Sequence, residues 1–186
     1  MLFWINLLRF EPFALTATMW LLFFLVLFSP ISVLELGIYP RQLSGLAGIF
    51  SAPFAHINLA HLVSNTVPLL ILGSLVRAYG RAAFFQSLII IIVIGGIGTW
   101  LLSSAGRVLG SSIIIFGFWA YLIARGWIDK RPLSIALALL TIFLYGSLFI
   151  SFFKFVPQIS WAGHASGVLG GVIAALYPKK LNKRHP

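Results

Sequence analysis

The chain contains no cysteine, which excludes disulfides and thiolate metal sites while leaving the redox compartment open. Acidic residues are nearly as scarce: three Asp and Glu stand against 13 Lys and Arg in 186 residues, a formal net charge of +10. Only 9% of residues are charged, where a soluble domain has about a quarter, and 60% are hydrophobic. That balance excludes an ordinary water-soluble fold. It also excludes disorder, whose signature is low hydrophobicity with dense charge. On a soluble domain the basic excess would suggest nucleic acid. Here the basic residues fall between long apolar runs, so they orient a chain in a lipid bilayer, and no nucleic-acid partner is expected. What is present is a small polytopic membrane protein with a mean hydropathy of +1.04.

Splitting the chain at its charges outlines the spans. Residues 12–34, 82–106, 108–124, 132–153 and 155–178 carry no Asp, Glu, Lys or Arg, and each reaches or approaches the roughly 20 residues of a spanning helix. The stretch 42–76 divides into a loop over 42–56, rich in Gly, Ser and Pro, and a helix over 59–76 that Asn58 can cap. The pattern predicts an all-α bundle of six membrane helices, at about 13–34, 59–76, 83–103, 111–125, 133–153 and 162–177. They form a single domain ending in a basic tail over 178–186. There is no internal repeat, which counts against an inverted-repeat transporter. The first apolar run is too long for a cleaved signal, and no small-residue cleavage site clearly follows it.

The basic residues also predict orientation. With the N-terminus in the cytoplasm, Arg9, Arg77, Arg81, Arg125, Lys130, Arg131, Lys179, Lys180, Lys183 and Arg184 all lie inside. Arg41, Arg107 and Lys154 are left outside. This bias places both termini in the cytoplasm, in the cell (inner) membrane.

Ionisable groups inside a membrane cost about 2.5–3.5 kcal/mol or more when charged, so each needs a reason. No Asp or Glu lies in the middle of a predicted span, which counts against a proton pump, channel or ion-coupled transporter. The polar candidates are His61, Asn65, Ser112 and His164. Counted from inner boundaries at Arg77, Arg125 and Lys179, at about 1.5 Å per residue, they lie roughly 24, 18, 20 and 22 Å up. All four therefore fall some 6–12 Å below the outer surface of a core of about 30 Å. Each has a plain alternative. A membrane serine commonly bonds its own helix backbone, a histidine can bridge helices, and His61 with Asn65, four apart, can form a polar seam. Their shared depth favours function. Gly163, Gly167 and Gly171 repeat every four residues, a spacing that lets the last helix approach a neighbour closely. The natural neighbour is the helix beginning at Gly110-Ser111-Ser112, where a serine passing its proton to His164 becomes a nucleophile. No carboxylate or thiolate accompanies the three histidines near that depth, so no metal site is expected.

These residues resemble those of the rhomboid family of intramembrane serine proteases. The resemblance runs from about Gln42 to Lys180. His56-x4-His61-x3-Asn65 is similar to the family's second-helix signature. Gly110-Ser111-Ser112-Ile113, continuing to Phe116-Gly117, resembles its nucleophile motif, and Gly163-His164-Ala165-Ser166-Gly167 its final histidine motif. The resemblance implies a six-helix bundle with a membrane-associated first loop, and a Ser112–His164 dyad without the carboxylate of soluble triads. His61, Asn65 and the Ser112 backbone N–H would form the oxyanion hole, with His56, Gly110, Phe116 and Gly167 supporting it. Substrates would be membrane-anchored proteins cut in or beside a single transmembrane helix near the outer surface, with a gate near the fifth helix and no cofactor. Three positions depart from the family pattern. Ile113 replaces a glycine and is expected beside the oxyanion site, the first loop lacks a Trp-Arg pair, and Val76 replaces an acidic residue. Ser111 is a second candidate nucleophile, although the Phe116-Gly117 register favours Ser112. An inactive relative that binds transmembrane helices is the alternative reading.

Overall fold

A run of apolar residues opening on Glu11 forms α1 (Phe10–Leu27). It buries Pro12, Leu15, Thr16 and Met19, one face at helical spacing, against α2 (Leu59–Arg77). The remaining long helices are α3 (Arg81–Leu102) and α4 (Ser112–Asp129), followed by the shorter α5 (Pro132–Tyr145) and α6 (Trp161–Leu176). The computed structural model describes residues 10–104, 106–151 and 160–177. Among these there is no β-strand, only an isolated antiparallel bridge between Ile38 and Val108. The first four helices are each long and apolar enough to cross a membrane. The other two are apolar but shorter, at 14 and 16 residues. Arg9, Lys154 and the 178–186 tail lie outside the described residues.

Two helix ends differ most from the expected ones. The first helix was expected to run to Leu34 but stops at Leu27. Pro30 has no N–H to continue the ladder and disfavours helical geometry at Ser29, whose hydroxyl donates instead to the Val26 carbonyl at 3.1 Å. The chain then makes a tight 3₁₀ turn over Val33–Leu36, capped by Ser32. The fifth helix was expected to reach residue 153. It ends at Tyr145 and re-forms as a short helix over Ser147–Ser151. The intervening Gly146 sits so close to the Ile142 carbonyl that a Cβ there would lie 2.6 Å from its oxygen. Residues 152 and 153 lie outside the described residues.

The core is built on α6, which packs most extensively against α4 and α3. Glycine makes this possible. A Cβ on Gly167 would stand 2.5 Å from the Ile113 carbonyl oxygen, and one on Gly171 would collide with that of Gly117, so the two backbones meet directly. By contrast, α5 packs chiefly on α4 and sits at the edge of the bundle.

Charges gather at one end. Glu11, at the start of α1, pairs with Arg77 at 3.0 Å and Arg81 at 3.3 Å, and Arg125 pairs with Asp129. Arg77 and Arg125, expected as boundary charges at the inner surface, are both buried, with only 2% and 6% of their surface exposed. Pairing offsets their desolvation, and the Arg125 guanidinium also lies over the Tyr79 ring at 5.1 Å. The opposite end is tied by the first loop. Ile38 and Val108 exchange backbone hydrogen bonds, Arg41 donates to the Ser103 carbonyl at 2.8 Å, and Trp100 donates to that of Gln42 at 2.9 Å.

Candidate active site

Asn58 starts α2. Its side-chain oxygen accepts from the His61 N–H at 2.8 Å, which places His61 in the first turn and Asn65 one turn further along the same face. The Asn65 amide donates one N–H to the His61 carbonyl at 2.8 Å, and its second N–H is uncommitted by that bond. The His61 ring lies against the backbone of Gly110. A Cβ there would stand 2.6 Å from the imidazole carbon Cε1 and 2.7 Å from Nε2, and Gly110 also adopts φ +109°, a left-handed conformation. Glycine is therefore required twice over. The Gly110 N–H donates to the Ala52 carbonyl at 2.9 Å, tying this turn to the first loop.

His56 stands behind His61, with ring centroids 5.0 Å apart in an edge-on arrangement. It is almost wholly buried, and its Nδ1 meets the Phe54 carbonyl at 3.2 Å. A carbonyl only accepts, so Nδ1 carries the hydrogen and Nε2 is left as a buried acceptor with no protein partner. Burial, with His61 as the second cause, pushes His56 down to about 4 against the opposing Phe54 hydrogen bond, so its ring is neutral near pH 7. It buttresses His61 and does not line the cavity described below.

Ser111 is the N-cap of α4, but its side chain makes no capping bond. Its hydroxyl is fully buried without a partner. Ser112 is the first helical residue, half-buried. Its backbone N–H is among the orphan donors of a helix start, a position that favours developing negative charge. Ile113, expected beside an oxyanion hole, turns away from the side of α4 that carries Ser112. One position further along the helix turns its side chain by about 100°, and it is 2% exposed, filling notches at Gly95 and Gly163. The bulk that replaces the family's glycine is thus spent on packing α4 against α3 and α6.

Ser160 caps α6 by accepting from the Gly163 N–H at 3.1 Å. His164 follows in the first turn and is buried. Its ring stacks on Phe116 with centroids 4.0 Å apart and planes 20° from parallel. Phe116 lies one turn after Ser112 on the same face of α4, so the stack holds the imidazole on the Ser112 side of that helix.

Ser112, His164, His61 and Asn65 line one cavity of about 580 Å³, which Ser64, Pro68, Phe116 and Leu148 also border. Asn58, Arg107 and Ser160 complete its polar lining. From sequence, Arg107 is legible only as an outer boundary charge, and Ser160 does not stand out. The available signal for Ser160 was its capping position immediately before an apolar helix. Among the described residues no group of three or more His, Cys, Asp or Glu side chains comes together.

The family model for the rhomboid domain matches residues 43–180. An uncharacterized protein of Mycobacterium tuberculosis is 37% identical over 148 residues, covering 75% of this chain and 62% of its own length. An uncharacterized protein of Mycobacterium bovis matches to the same extent. One from Mycobacterium leprae is 34% identical over 139 residues, 70% of this chain and 55% of its own. The chain spans about three fifths of the length of the curated relatives it matches. The match covers the first loop, the Ser112 turn and the His164 helix together, and the chain belongs to the rhomboid family.

Proposed function

We propose that this chain is an intramembrane serine endopeptidase that cleaves single-pass transmembrane substrates through Ser112 and His164, near the outer side of the membrane. The observation that carries the reading is the shared cavity, where a hydroxyl at a helix start, a stacked imidazole and two further polar side chains face one space.

In this reading the Ser112 hydroxyl attacks the scissile carbonyl carbon as His164 takes its proton. The resulting oxyanion is held by the Ser112 N–H, the Asn65 amide and the His61 ring. The carbon–nitrogen bond breaks as His164 returns the proton to the leaving amine. Water then attacks the ester, again through His164, and releases the second product and Ser112. Phe116 restrains the imidazole in place of an orienting carboxylate.

The membrane arrangement belongs to the same proposal. All six helices cross the bilayer, with the Glu11–Arg77–Arg81 end cytoplasmic and the cavity near the outer surface. Two observations support it. The start of α1, the end of α2 and the start of α3 share one ion cluster, and Gln86 of α3 donates to the Tyr177 carbonyl at the end of α6. At about 1.5 Å per residue, α5 and α6 reach about 21 and 24 Å, which suits a cavity recessed below the surface of a core of about 30 Å.

The test is cleavage of a single-pass test substrate in proteoliposomes. Wild type is expected to cut, and Ser112→Ala to cut at no more than the background rate. Equal cutting by both would refute Ser112 as the nucleophile. Failure of wild type on a panel of substrates would favour the helix-binding alternative.

A further inference from the structure

Among the described residues lining the cavity, Arg107 is the one whose side chain carries a formal charge. It is exposed, in the turn between α3 and α4, five residues before Ser112. Its backbone neighbour Val108 is fixed by two hydrogen bonds with Ile38, at 2.9 and 3.0 Å. The guanidinium is also restrained, donating to the Leu34 carbonyl at 2.9 Å while lying 5.1 Å over the Tyr39 ring. Much of the entropy of ordering this long side chain is thus lost before anything binds. Other arginines are already engaged. Arg77, Arg81 and Arg125 pair with carboxylates, and Arg41 donates to two backbone carbonyls. Among the described residues no carboxylate lies within 4.0 Å of the Arg107 guanidinium. A single donor to a carbonyl leaves most of its N–H groups unused, in a planar fork suited to a carboxylate.

The geometry points to Arg107 as a specificity-determining residue that receives an Asp or Glu on the flank of the substrate's transmembrane segment lying at the cavity mouth. This inference rests on the protease reading above. It adds that the enzyme selects its substrates by charge. The carboxylate meets a prepositioned cation, the one formal charge among the described residues that line the cavity, so a neutral or basic residue at that position is disfavoured.

The experiment compares full-length wild type, Arg107→Gln and Arg107→Glu in proteoliposomes on paired substrates. Each pair differs only by Asp or Asn at one of four successive positions beside the scissile bond. The readout is the ratio of the two rates within each enzyme, so a general loss of activity cancels. At one position or more, wild type is expected to favour Asp by about fivefold, the effect of a modestly exposed ion pair. Arg107→Gln is expected to bring the ratio near one and Arg107→Glu to invert it. Ratios unchanged by either substitution at every position would overturn the inference. A parallel measurement separates this from failure of the protease reading. Labelled Asp and Asn peptides are titrated onto Ser112→Ala, with and without Arg107→Glu, in the same vesicles. If nothing is cut but Asp binding falls with Arg107→Glu, charge selection stands and proteolysis falls. Equal binding in all combinations would overturn charge selection.

Discussion

At the level of single residues, Gly110 carries two constraints at once. Its φ of +109° costs an L-residue about 1–2 kcal/mol, and its missing Cβ leaves room for the His61 ring. Gly110→Ala is therefore expected to displace His61 while leaving the bundle folded, lowering cleavage by about 10²-fold, the effect of losing one oxyanion donor. A thermal melt alongside the cleavage assay separates this from unfolding. Activity near wild type would show that His61 is not needed where it lies. Gly110 was legible as part of a motif, but its contact with His61 was not, because it depends on how the turn docks against α2. Ile113 shows the converse. Read along the chain it neighbours Ser112, whereas in space it belongs to the packing of α3, α4 and α6. Arg125 was legible as a charge at a helix end but not as buried, because its partners Asp129 and Tyr79 are set by the fold.

At the level of elements, the depth count needed only the rise per residue, and so it gathered four side chains that also line one cavity. Helix ends were less legible. Splitting the chain at its charges passes over Pro30, whose missing N–H ends α1, and over the break in α5 after Tyr145. The glycine repeat of α6 was readable, and its consequence is the direct approach of α6 to α4 at Ile113 and Gly117. Gly167→Leu places a branched side chain against the Ile113 carbonyl. It is expected to force the helices apart, costing about 1–3 kcal/mol as other overpacked contacts do. It should also separate His164 from Ser112. A lowered melting temperature with cleavage reduced well beyond the fraction unfolded checks this. A stable and fully active variant would mean that the close approach does not position the histidine.

For the whole molecule, the two ends of the bundle do different work. One end is a charged knot of Glu11, Arg77 and Arg81 with the Arg125–Asp129 pair nearby, which fixes the helices relative to each other. At the other end, backbone bonds from the first loop support the turn that presents Ser112 and Arg107. The peripheral α5 leaves the cavity bordered by α2, α4 and the start of α6. In the proposed protease, this division keeps Ser112 and His164 on a rigid core. Proteolysis as proposed requires that His164 activate Ser112 within that core. The most direct measurement is labelling of the membrane-embedded protein with a fluorophosphonate, followed by mass spectrometry of the modified peptide. The adduct is expected on Ser112 in wild type and is expected to be lost in His164→Ala. An adduct on Ser111, or equal labelling of Ser112 without His164, would contradict it.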